Sequence, residues 1–289
     1  MSDGAGIGDV GDGGGGGGGR ALAQAAAALL GARAVRWRRL PGGDLSRVVF
    51  AELDDGREIV AKTGPAPPTE ARMLDALRAA GAPTPRVLAA SAAVLALESL
   101  PESGAISAAG WRELGEILRR VHETPGPAYG WPEPYAFGDV AIPGNADPAL
   151  DWPGFWGELR LLSEVDRLPA ALARRLERLA ADLPNRLPAR PLPGLRHGDL
   201  WSGNLLIHGG RPVGLVDPAC AYGDGEADLA MLTLFGAPGP SFVEGYGPLE
   251  PGAAARRPIY QLWPAIVHLR LFGGGYRGLV EGLLDQAGA

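Results

Sequence analysis

Residues His197 to Asn204 read His-Gly-Asp-Leu-Trp-Ser-Gly-Asn, and the residues that follow constrain the fold around them. Leu205-Leu206-Ile207 reads as a strand, Gly209-Gly210 as a turn and Val213 to Val216 as a second strand, with Asp217 at once after it. In an antiparallel hairpin, positions equidistant from the turn face each other. A turn centred between Gly210 and Arg211 sets Asn204 opposite Asp217. An amide oxygen and a carboxylate at one end of a hairpin suit Mg²⁺, which takes oxygen ligands and keeps several waters. Asp199 precedes Asn204 in the same loop, and a carboxylate near an acceptor hydroxyl can orient it and take its proton. Asp217-Pro218 taken alone reads as a turn; Asn204 is what gives Asp217 a second meaning.

Composition narrows the classes. The chain has 289 residues and a formal net charge of −6, with no strongly basic surface to argue for nucleic acid. It contains no apolar run long enough to span a membrane, and its N-terminus lacks the basic-then-apolar order of a signal peptide. Cys220 is the only cysteine, so an intrachain disulfide is excluded and a reducing, cytoplasmic setting is expected.

Residues 1–19 are almost all Gly, Asp and small residues and are expected to form a disordered tail. Ala21 to Ala32 reads as a helix. Val48 to Phe50 and Glu58 to Lys62 read as strands around the turn Asp54-Asp55-Gly56, and Thr69 to Ala80 as a helix closed by Gly81. Val87 to Leu100 is extended. Beyond it, helical spacing dominates, with segments at Trp111 to Val121, Glu158 to Asp166, Leu168 to Leu183, Asp228 to Phe235 and Arg257 to Phe272. The expectation is an α+β chain in two lobes. Residues 20–100 form a small antiparallel-sheet lobe that binds ATP, and residues 101–289 form a larger, mostly helical lobe with the catalytic and acceptor-binding groups.

The loop matches the catalytic-loop template H-R-D-L-x-x-x-N of protein kinases, with Gly198 in place of the arginine. In that template Asp199 is the base, and Asn204 and Asp217 hold Mg²⁺. The rest of the template falls in order along the chain. Lys62, the only lysine, ends the strand Val60-Ala61-Lys62, where an ammonium can meet ATP phosphates. Glu70 on the next helix has two readings, as the partner that fixes Lys62 or as a helix N-terminal acid placed for the dipole. Gly42-Gly43 precedes the first hairpin strand and is a candidate phosphate-covering turn.

From about Arg39 to Leu284 the chain resembles the fructosamine kinase (ketosamine 3-kinase) family, a relative of aminoglycoside phosphotransferase-like and choline-kinase-like enzymes. HGDLWSGN at 197–204 carries the resemblance most strongly. Tyr129-Gly130-Trp131, Asp151-Trp152, Asp217-Pro218-Ala219 and Asp228-Leu229-Ala230-Met231 extend it. The resemblance implies transfer of the ATP γ-phosphate to the sugar O3 of ribulosamine or fructosamine adducts, free or protein-bound. It implies a role in deglycation, because the phosphorylated adduct falls apart. It also implies that the backbone near Glu98 to Leu100 meets adenine. Three departures fall away from the catalytic set: Gly225 where an Arg is common, Arg270 where an Asn is common, and no polar Asn in Pro134 to Phe137.

Several residues keep two readings. Trp201 can stack on the acceptor or pack its own loop, and Asp228 can hydrogen-bond the catalytic loop or cap a helix. Trp131, Trp152 and Trp156 can line an acceptor pocket or fill the core. Two other functions stay open: a phosphotransferase for another small alcohol, such as an aminoglycoside or amino alcohol, and a non-catalytic nucleotide-binding module.

Overall fold

A computed structural model describes residues 16–41, 45–145 and 147–289. Gly42 and Gly43 lie outside the described residues, as does most of the expected tail. The chain divides into two compact units. One runs to Gly64 and adds Leu88–Ser99; the other comprises Pro65–Val87 and Leu100–Ala289.

The smaller unit is a helix on a sheet. Helix α1 (Gly16–Leu29) packs on strands β1 (Ala34–Arg39), β2 (Val48–Leu53), β3 (Glu58–Lys62), β4 (Val87–Ala90) and β5 (Leu95–Glu98), in the order β1-β2-β3-β5-β4. Every second residue of β2 and β3 (Val49, Ala51, Leu53, Ile59, Ala61) is buried with Leu22, Ala23, Ala26 and Ala27 of α1. That alternation is the pleat of a strand with one covered face. Helix α1 starts earlier than its alanines suggest. Residues 16–19 of the glycine run are helical, and a side chain at Gly19 would meet the Trp37 ring at 2.4 Å. Tertiary packing here outweighs the poor helix propensity of glycine.

The larger unit is mostly helical. Helix α2 (Pro67–Ala79) groups with it, whereas the sequence reading had placed this helix in the smaller lobe. The reason is packing: Met73 and Leu77 share a core with Leu114, Leu118 and Val121 of α3 (Ala108–His122). The Ser107 hydroxyl caps α3 by accepting from Gly110 N at 3.0 Å. A short hairpin follows, β6 (Tyr135–Phe137) and β7 (Val140–Ile142). The expected helix Glu158 to Asp166 is replaced by α4 (Trp152–Trp156), a π-helical turn Gly157–Leu161 and a 3₁₀ turn Val165–Arg167. Next come α5 (Ala170–Arg186), β8 (Gly194–Arg196), β9 (Leu205–His208), β10 (Arg211–Leu215) and β11 (Ala221–Gly223). The chain ends in α6 (Glu226–Leu232), α7 (Ser241–Tyr246), α8 (Ala253–Phe272) and α9 (Arg277–Gln286). A second core joins Trp152, Phe155, Trp156 and Leu176 to Tyr260 and Ile266 of α8. No helix among the described residues is long and apolar enough to cross a membrane.

Candidate active site

The catalytic-loop residues are gathered by two short pairings. Strand β8 leads into His197 and pairs with β11, while β9 leaves Asn204 and pairs with β10. The β9–β10 register corrects the sequence reading. His208 faces Arg211, so the turn is centred on Gly209-Gly210, and an irregularity between Pro212 and Gly214 shifts the strand. Val216 N then donates to the Asn204 carbonyl at 3.0 Å, so Asn204 faces Val216 and Asp217 is the next residue. Asp217 has φ +55°, the only positive φ outside glycine among the described residues. That left-handed backbone is rare for a side chain, least so for Asp and Asn, and it turns the chain out of the hairpin at this residue.

Within the loop, Asn204 Nδ2 donates to both the carbonyl and Oδ2 of Asp199, each at 2.9 Å. The amide nitrogen is thereby occupied, and its oxygen is left as the atom a cation can use. The oxygen donor set of Asn204 and Asp217 fits a hard divalent ion that completes its shell with phosphate oxygens and water. Among the described residues no cluster of three or more His, Cys, Asp or Glu could hold a metal alone.

Gly198 accounts for the departure from the kinase template. Its φ is +82°, and a Cβ there would lie 1.9 Å from the Ala219 carbonyl oxygen. The loop is sewn to the segment after Asp217 at this point, since Ala219 N donates to the His197 carbonyl at 2.9 Å. An arginine has no room in this arrangement. Gly203 is constrained by a different neighbour: its Cβ would meet the Trp201 ring at 2.3 Å. Trp201 therefore packs on its own loop and is still 38% exposed, so both sequence readings of this ring have a physical basis.

Asp228 resolves in favour of the loop. It is the third residue of α6 and not its cap, and it is 1% exposed. Its carboxylate accepts from His197 N at 2.6 Å and Gly198 N at 2.9 Å, and it meets His122 Nε2 at 3.3 Å. Burial alone would raise its pKa, but the hydrogen bond and charge of His122 and the charge of Arg196 outweigh that and hold it at about 2. His197 is fully enclosed and accepts from Asp199 N through Nδ1 at 3.3 Å; burial pushes its pKa down, so it braces the loop as a neutral ring.

In the smaller unit Lys62 is 4% exposed at the end of β3, paired in register with Val48 and Leu95. By strand alternation its side chain leaves the sheet on the face opposite α1. Glu98 ends β5 opposite Ile59. In the larger unit Leu100 packs within 2.8 Å of where a Cβ on Gly214 would be. Glu70, in the first turn of α2, is 1% exposed and accepts from the Tyr135 hydroxyl at 3.2 Å. No local pattern signals this contact, because Tyr135 and Glu70 are 65 residues apart in the chain. Trp152 and Trp156 are core residues, 0% and 2% exposed, and Trp131 is buried in a stack with Tyr222 at 5.7 Å between ring centroids.

The profile of the fructosamine kinase family matches residues 60–288, a span holding every candidate residue named above except Gly42 and Gly43. The chain belongs to the fructosamine kinase family. A probable ketoamine kinase of Synechocystis sp. is 37% identical over 191 residues, which is 61% of this chain and 61% of that one, short of two thirds of the relative. The crystal structure assigned as a fructosamine-3-kinase from Thermobifida fusca superposes with a TM-score of 0.84 at 28% identity, over 93% of this chain and 98% of that chain. A macrolide 2′-phosphotransferase from Brachybacterium faecium has a TM-score of 0.60 at 21% identity, over 91% and 97%. At that identity the likeness speaks for the fold alone, and the fold is protein-kinase-like. Fructosamine kinase family membership and the kinase-like fold thus agree with the loop geometry.

Proposed function

We propose that this chain is an ATP- and Mg²⁺-dependent kinase that phosphorylates the sugar O3 of small ketoamines of the ribulosamine or fructosamine type. The observation that carries the reading is the Asp199–Asn204 pair: the amide nitrogen ties down the carboxylate of one and leaves its own oxygen toward the metal role. Asp199 orients the acceptor hydroxyl and takes its proton as that oxygen bonds to the γ-phosphorus and the bond to the ADP oxygen breaks. Asn204 and Asp217 hold Mg²⁺, which supplies charge neutralisation on the phosphates when bound. Lys62 meets the phosphates, Glu70 belongs to the nucleotide site, and the Glu98–Leu100 backbone meets adenine. Trp201, exposed beside Asp199, is the candidate acceptor contact. The family description and the relatives' names support a ketoamine acceptor; a phosphorylated adduct that falls apart would give the chain a role in deglycation.

The test is ATP consumption with a panel of ketoamines beside aminoglycosides and choline, with the product examined by phosphorus NMR. Phosphate on a ketoamine O3 is the expected outcome. Phosphate on an aminoglycoside, with none on any ketoamine, would overturn the substrate and leave the kinase reading standing.

A further inference from the structure

Helix α2 begins without a cap of its own. Its N-cap position is Ala66, which makes no side-chain cap hydrogen bond, and Pro67 and Pro68 open the helix. The first turn is held from outside, by the segment that leads into β6. Thr69 Oγ1 donates to Glu133 Oε2 at 2.8 Å, Arg72 Nη2 donates to Thr69 Oγ1 at 3.1 Å and also pairs with Glu133, and Tyr135 Oη donates to Glu70 Oε2 at 3.2 Å. Glu133 and Tyr135 stand two apart, as extended chain requires for side chains on one face. Between them they grip three residues of one helical turn.

The Tyr135 ring is set firmly enough to act as a support. It packs against both cores of the larger unit, the one containing Met73, Leu77 and Cys220 and the one containing Trp152 and Trp156. Its phenol is pushed well above the usual range by burial first and by the Glu70 carboxylate second, so it remains a proton donor throughout the working range. Cys220, in one of those cores, lies three residues after the proposed metal aspartate. A carboxylate as buried as Glu70 is stable in its charged form only when donors face it.

We propose that Tyr135 is a positioning residue for nucleotide binding: its hydroxyl fixes the orientation of the Glu70 carboxylate, and MgATP affinity depends on that orientation. The inference rests on the reading of Glu70 as a residue of the nucleotide site given above. The anchor specifies where one functional side chain of the helix points.

Tyr135→Phe removes the hydroxyl and keeps the ring, so the packing on both cores is retained. The experiment is calorimetric titration of full-length wild type, Tyr135→Phe, Glu70→Gln and the double variant with MgATP, without acceptor, alongside thermal unfolding. The expected result is MgATP binding weakened about five- to tenfold by Tyr135→Phe, the size of one lost ordinary hydrogen bond, with the melting temperature lowered by a few degrees at most and the variant fully folded at the titration temperature. The same substitution should add almost nothing in the Glu70→Gln background. Steady-state rates with any acceptor that is turned over should show the loss in KM for ATP with kcat largely kept. Wild-type affinity in Tyr135→Phe overturns the proposal, and so does a loss that is fully additive with Glu70→Gln. A wild-type chain that binds no MgATP refutes the kinase reading itself, a result distinct from either.

Discussion

The loop from His197 to Asn204 and the chain from Glu133 to Ile142 both hold a candidate functional carboxylate in place, and they do it differently. In the loop the support is backbone: His197 N and Gly198 N donate to buried Asp228, and the chain is bonded to Ala219 across a glycine with no space for a side chain. In the hairpin the support is side chain to side chain across 61 to 65 residues of sequence, through Glu133 and Tyr135. Backbone support forces residue types at fixed spacing, and so it leaves a motif. Side-chain support needs only a donor of the right reach, and it leaves none.

The largest effect is expected where the loop's chemistry is removed with its geometry kept. Asp199→Asn should lower turnover by about 10²- to 10⁴-fold, the range for loss of a positioned general base, while MgATP affinity stays near wild type. Single-turnover phosphoryl transfer and calorimetry on the same preparation check it; a variant retaining full turnover would remove Asp199 from the base role. Gly198→Ala should come next. The left-handed backbone costs about 1–3 kcal/mol for a side chain, before the collision with the Ala219 carbonyl is counted. Equilibrium unfolding in denaturant measures it, and an unchanged midpoint would show that the backbone account of the loop is wrong.

This difference explains how much of the site was legible. Asp199, Asn204 and Asp217 could be read because the hairpin and the loop fix their spacing. Even there the register was misjudged: the turn is centred on Gly209-Gly210, one residue earlier than a centre between Gly210 and Arg211, and the irregularity at Pro212–Gly214 brings the pairing back to within one residue of the expected one. Lys62 was legible because a strand ends on it and no other lysine competes. The alternating strands of the smaller unit and the amphipathic α3 were legible from period alone. The entry of α1 into the glycine run was not, since it depends on Trp37, and neither was the grouping of α2, which depends on the face it buries against α3. Tyr135 appeared in the sequence only as the absence of an expected asparagine.

Acid sensitivity separates the two supports further. Asp228 is held at about 2, below the ordinary carboxylate value of 3.8, so it is a depressed group. Its contribution is complete above the unfolded value and is lost as pH falls from about 4 through about 2, as protons bind the unfolded chain first. A shift of that size corresponds to stability on the order of 2 kcal/mol. Asp228→Asn should therefore be less stable than wild type near neutrality, and the gap should narrow across that acid window. Unfolding midpoints between pH 5 and pH 2 test it, and parallel curves for the two proteins would place the acid sensitivity elsewhere.

The smallest effect is expected at the hairpin's outer anchor, and it is the one that best separates its two contacts. The Arg72–Glu133 pair is half in solvent, with the two side chains 52% and 39% exposed. Exposed pairs contribute roughly 0–1 kcal/mol and are screened by salt. Its hydrogen bonds to Arg72 and Thr69 hold the Glu133 carboxyl below its usual range, so the pair is formed at neutral pH. Glu133→Gln keeps an acceptor for Thr69 and removes only the charge. It should shift the melting temperature by a degree or two at low salt, for about 0.5 kcal/mol, and by nothing measurable in high salt. The Glu70–Tyr135 hydrogen bond is enclosed by both cores, so the MgATP loss in Tyr135→Phe relative to wild type should be the same at both salt concentrations. A Glu133→Gln variant that weakened MgATP binding as much as Tyr135→Phe would mean that the whole helical turn moves with either anchor, and that the hydroxyl has no separate part in aiming Glu70.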